Sequence, residues 1–161
     1  MTSARPVCGY LRIGARDGWP VNNVVVSDER DQPSDQVIEQ RVRNRLIEYF
    51  ELSSSFEAQR EYERAAPIAH VPYEVIEQWQ DWVPHLDLVL ATSTVYSADE
   101  REALRQFQTV WDATVNAIGD DYPTLALVQD LPAWQALRRE TESSLAVFAR
   151  RGRLPEDRDA H

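Results

Sequence analysis

The chain has 161 residues, 27 acidic and 17 basic, and a formal net charge of −10. Its 43% hydrophobic and 27% charged composition is that of a folded domain and unlike that of a disordered segment. The carboxylate excess argues against nucleic acid or anionic membrane as a direct partner, because phosphate binding needs a clustered positive surface.

The first 27 residues are the least helical. Segments 7–13 and 21–26 are rich in β-branched and aromatic residues, and Gly14, Gly18 and Pro20 punctuate the connection, which predicts a short β-hairpin. From Ser34 the period becomes helical: Ile38, Val42, Leu46 and Tyr49 recur on one stripe, with Glu39, Arg41, Arg43 and Arg45 on other faces. Ser53, Ser54 and Ser55 then interrupt, and Ser54 with Glu57 has capping-box spacing. Residues 34–66 therefore read as one bent helix or two, ended by Pro67. A shorter helix is expected over 72–83, with Pro72 in its first turn.

A further helix begins at Ser97, which forms a second capping box with Glu100. Its apolar stripe is Leu104, Phe107, Trp111, Val115 and Ile118, and Gly119 stops it. The last helix opens at Asp130, presents Trp134, Leu137, Leu145 and Phe148 inward, and closes at Gly152. Residues 153–161 are charged and expected to fray. The expected fold is mainly α: a single compact helical domain over 1–152 with a short N-terminal β-hairpin.

Chemistry is sparse in this pattern. The single cysteine, Cys8, rules out an intramolecular disulfide and a Cys-rich zinc site. No glycine-rich phosphate loop is present. Of His70, His85 and His161 none sits in an HExxH pattern; His70 lies four before Glu74 and His85 two before Asp87, and local hydrogen bonding is the simpler reading of each. Asp28, Glu29 and Asp31 sit in a polar turn. No catalytic, cofactor-binding or metal-binding residue is assigned, and the chain reads as a non-enzyme; a hydrolase using His85 and Asp87 is the least favoured alternative. The opening residues lack the continuous apolar run of a secretory signal, and no apolar stretch approaches the roughly 20 residues of a membrane span, so a cytoplasmic setting is expected.

Charge distribution says more. All basic residues are arginine, and residues 66–100 contain none, while holding Glu74, Glu77, Asp81, Asp87, Asp99 and Glu100. Glu74, Glu77 and Asp81 share one face of the expected 72–83 helix, with Val75, Ile76, Trp79, Trp82 and Val83 on the other side. Asp120, Asp121 and Tyr122 follow the long helix and extend the acidic surface. Such a surface steers a basic protein towards itself.

The stretch 50–83, FELSSSFEAQREYERAAPIAHVPYEVIEQWQDWV, resembles small bacterial immunity proteins of contact-dependent growth inhibition systems. The resemblance lies in a helix ending FEL, a segment like FEAQREYE, and then VPYEVIEQWQDWV. It implies a cytoplasmic, non-enzymatic antitoxin that binds one cognate toxin C-terminal domain, most often a nuclease, and blocks it. The expected partner-binding residues are Glu74, Glu77, Asp81, Asp87, Asp120 and Asp121, with Tyr73 and Tyr122 as aromatic anchors. The alternative is a small adaptor or regulatory subunit that binds a host protein, or itself, through the apolar side of the Trp79/Trp82 helix.

Overall fold

Hydroxyl and imidazole caps open four of the seven helices among the described residues. The computed structural model describes residues 32–83, 86–119 and 121–160. The hairpin expected over 7–13 and 21–26 lies outside them, as do His85 and Asp120. The described residues are mainly helical and contain no strand.

Ser34 opens α1 (Asp35–Ser53) by accepting the Val37 N–H at 3.2 Å. The serine run divides the 34–66 segment into two helices. The Ser54 N–H donates to the Phe50 carbonyl and ends α1. Ser55 then accepts the Ala58 N–H at 3.1 Å and opens α2 (Phe56–Ala65). The cap is therefore Ser55, one residue later than the Ser54–Glu57 spacing suggested. Glu57 instead pairs along α2 with Arg60 and Arg64.

His70 caps α3 (Val71–Trp82), its Nδ1 accepting the Tyr73 N–H at 3.4 Å. The short α4 (Leu86–Thr92) follows. Ser97 and Glu100 form the reciprocal capping box of α5 (Ala98–Ile118), as their spacing predicts. Gly119 ends that helix at φ 71°, a left-handed conformation that a residue bearing a Cβ seldom adopts. After α6 (Leu125–Gln129), Leu131 rather than Asp130 precedes α7 (Pro132–Ala149).

Helix α7 packs most extensively on α5 and then on α1, while α2 and α3 lie against α1 and α6 bridges α2, α3 and α7. Where these meet, aromatic rings fill the core. Trp79 and Phe107 centroids are 4.4 Å apart, and Phe50 contacts Phe107 at 5.3 Å and Phe148 at 5.4 Å, both edge-on. Tyr49 joins the cluster with its hydroxyl donating to the Val75 carbonyl at 2.9 Å, and burial pushes that phenol well above its ordinary pKa.

The inner face of α1 departs from the stripe expected of it. Leu46 and Tyr49 are buried, but Ile38 is 47% exposed, and the N-terminal half of the face is built from Gln40, Arg43 and Asn44. Arg43, expected on an outer face, is fully buried against Glu100. Gln40 and Asn44 are buried by the C-terminal segment, which lies along α1 where fraying was expected. Asn44 exchanges hydrogen bonds with the main chain of Leu154 at 2.8 and 2.9 Å. Gln40 donates to the Pro155 and Arg158 carbonyls and accepts the Ala160 N–H.

Candidate protein-interaction surface

Helix α3 is amphipathic by sequence, and its two sides go to different places. Val71, Val75, Ile76 and Trp79 are buried in the core, so this part of the helix's apolar side is committed to the fold. Trp79 donates its indole N–H to Gln108 Oε1 on α5 at 2.5 Å, and Trp111 donates to the Ile76 carbonyl at 3.2 Å. These bonds fix α3 against α5. What remains outward is Tyr73, Glu74, Glu77, Gln80 and Asp81.

At the N-terminal end of α3 the aromatic anchors meet. Tyr73, 46% exposed, stands edge-on to Tyr122 with ring centroids 5.2 Å apart. The Tyr122 hydroxyl donates to Glu77 Oε1 at 3.0 Å, and the His70 ring lies 6.2 Å from Tyr122. Tyr122, which follows α5, is thus brought onto α3 beside the carboxylates expected to act with it. His70 serves as a helix cap and not as a partner of Glu74.

At the other end of α3, Asp81 joins Asp87 of α4 on the lining of one open groove of about 860 Å³. Val83, Leu86 and Leu88 supply apolar walls, and Trp79 and Trp111 form the floor. Asp121 is exposed, and Asp120 lies outside the described residues.

The electrostatics divide the acidic residues into two sets. Asp99 pairs with Arg150 at 2.9 Å, and Glu100 is buried between Arg43 and Arg151, so neither adds free charge to this surface. By contrast Glu74, Glu77, Asp81, Asp87 and Asp121 have no arginine within ion-pair distance among the described residues. Elsewhere, arginines three or four residues from a carboxylate neutralise it along the same helix, as with Arg45 and Glu48 or Arg138 and Glu142. The arginine-free segment 66–100 leaves α3 and α4 no such partner of their own.

Sequence reasoning missed Asp112 and Gln108, which stand next to the groove on α5. Gln108 Nε2 donates to Asp112 Oδ1 at 2.8 Å, so one amide links the Trp79 indole to a third carboxylate. The four-residue spacing of Gln108 and Asp112 was a visible signal of their contact; the proximity to α3 was not. No group of three or more His, Cys, Asp or Glu side chains among the described residues is arranged to hold a metal ion. No helix among them is long and apolar enough to cross a membrane.

Comparison of the chain with family models, with curated proteins and with solved structures finds no match.

Proposed function

We propose that the protein is an immunity or antitoxin protein that binds a cognate toxin C-terminal domain, a basic nuclease, and neutralises it by covering its substrate surface. The observation that carries this reading is the face of α3 and α4, where Glu74, Glu77, Asp81 and Asp87 lack arginine partners among the described residues beside the half-exposed Tyr73. The resemblance of residues 50–83 to immunity proteins supports it, since that stretch includes α3. Unneutralised carboxylates attract a cationic partner over a Debye length of about 8 Å at physiological salt and speed encounter. A tyrosine pair supplies rigid contact area once the surfaces touch. An interface of about 1,600 Å² in total is enough for a stable complex, and a face of this kind competes with the toxin's polyanionic substrate for the same arginines and lysines.

The test is the association rate with the proposed cognate toxin domain, measured from low to high salt. Replacing Glu74 and Asp87 by arginine is expected to slow association at least tenfold at about 50 mM salt and to flatten its salt dependence. An unchanged rate and salt slope in the double variant would remove this face as the binding site.

A further inference from the structure

We propose that the groove between α3, α4 and α5 is a receptor for a single arginine side chain presented by a protein partner. The inference rests on the reading that this face meets a basic protein, and it adds the residue type and the seat. An arginine needs three things from a binding site: apolar walls for its stem, carboxylates for its planar cation, and a floor that makes no competing polar demand. The groove has all three. Val83, Leu86 and Leu88 make the walls, and Leu88 is 62% exposed. Asp81 and Asp87 line the groove from two different helices, and neither has an arginine within ion-pair distance among the described residues.

The floor is preformed. Trp79 and Trp111 are nearly buried, and each indole N–H already has an acceptor, so the floor demands no hydrogen bond from an incoming group. Gln108 carries the polarity of the site outward: its Oε1 accepts from Trp79 and its Nε2 donates to Asp112. Asp112 is exposed, one turn along α5 from Gln108. The volume, about 860 Å³, exceeds what one side chain fills and leaves room for the backbone that delivers it. Arginine suits this arrangement better than lysine, because its weakly hydrated planar cation tolerates an apolar seat beside a carboxylate.

The probe is acetyl-arginine-methylamide titrated into the full chain, against the citrulline analogue of the same shape without charge. The readout is the NMR shift of the Trp79 and Trp111 indole N–H resonances. The arginine probe is expected to move both, to saturate, and to bind at least fivefold more tightly than citrulline. Asp81→Asn with Asp87→Asn should weaken the arginine probe about fivefold while leaving the citrulline probe unchanged. Leu88→Arg, at an exposed position, should occupy the groove from within and abolish the response. Equal responses to the two probes, or shifts that ignore all three substitutions, overturn the proposal. Toxin capture that is insensitive to Asp81→Asn and Asp87→Asn also overturns it while leaving the immunity reading intact. Probe binding with no toxin captured does the reverse.

Discussion

Arg43 on α1 and Glu100 on α5, 57 positions apart in the chain, meet in the core as an ion pair with both side chains almost wholly removed from solvent. Arg43 places Nε and Nη2 on Glu100 Oε1, sends Nη1 to the Gly152 carbonyl at 2.7 Å, and lays its guanidinium 5.1 Å from the Phe148 ring centroid. Glu100 also accepts from Arg151 and from the Ser97 N–H, so one carboxylate serves as helix cap and buried counter-ion together. The pair ties α1, α5 and the end of α7 at a single point.

Removing one partner strands the other charge. Glu100→Gln or Arg43→Met is expected to cost about 3–5 kcal/mol in urea unfolding, because an uncompensated buried ion outweighs a lost contact. The double variant Arg43→Met, Glu100→Leu should recover most of that loss. Single variants within 1 kcal/mol of wild type would show that the pair is not desolvated in solution.

Burial alone would raise the Glu100 carboxyl, but the Arg43 hydrogen bond, the Ser97 N–H and the charges of Arg43 and Arg151 outweigh it and hold its pKa below the ordinary value of 4.5. The unfolded chain therefore binds this proton at a higher pH than the folded one. The stabilisation is fully present above about pH 4.5 and is lost as pH falls through the lower, folded value. Stability measured from pH 6 downward should decline in that acid window, and the Glu100 carboxyl carbon should titrate there by NMR. A Glu100 titration at or above 4.5 would contradict the arrangement.

The amides of Gln40 and Asn44 hold the C-terminal segment by its main chain. Asn44→Ala leaves the Leu154 N–H and carbonyl without their partners and should cost about 1–3 kcal/mol. Trypsin then gains access to the bond after Arg153, which is adjacent to Leu154 and should be cut slowly in the wild type. Equal cleavage rates in the two proteins would mean that the segment is not held.

Gln59 on α2 is a second buried polar hub. Its Oε1 accepts from Gln129 on α6 and from the Trp134 indole on α7, both at 3.2 Å, while its Nε2 donates to the Ser53 carbonyl. Gln59→Leu keeps much of the volume and removes a partner from the Trp134 indole N–H and the Ser53 carbonyl, while Gln129 Nε2 keeps the Phe56 carbonyl at 3.4 Å. It should lower stability by about 1–3 kcal/mol in urea unfolding, and a midpoint equal to that of the wild type would show that this amide network adds no stability.

Much of this fold was legible because its signals are local. The Ser97–Glu100 box, the Gly119 stop and the stripe Leu104, Phe107, Trp111 each lie within a few residues of one another, and all appear where expected. The short α4 and α6 span 7 and 5 residues, too few for a period to declare itself. Arg43 misled because its burial depends on a carboxylate 57 positions away, which no helical pattern encodes. The segment after Gly152 looked mobile by charge, yet it is held through main-chain groups that composition does not report. Of the candidate surface, the Glu74, Glu77, Asp81 face and its lack of arginine were readable. The junction of Tyr122 with Tyr73 and Glu77, and the groove shared with Asp87 and Gln108, needed tertiary structure.

The most direct test is capture of the proposed cognate toxin C-terminal domain by the tagged chain, at about 50 and 500 mM salt, with the domain's toxicity measured in the presence and absence of the chain. The predicted result is a one-to-one complex, weaker at high salt, that abolishes toxicity. A folded sample that neither captures the domain nor relieves its toxicity at either salt concentration would contradict the immunity function.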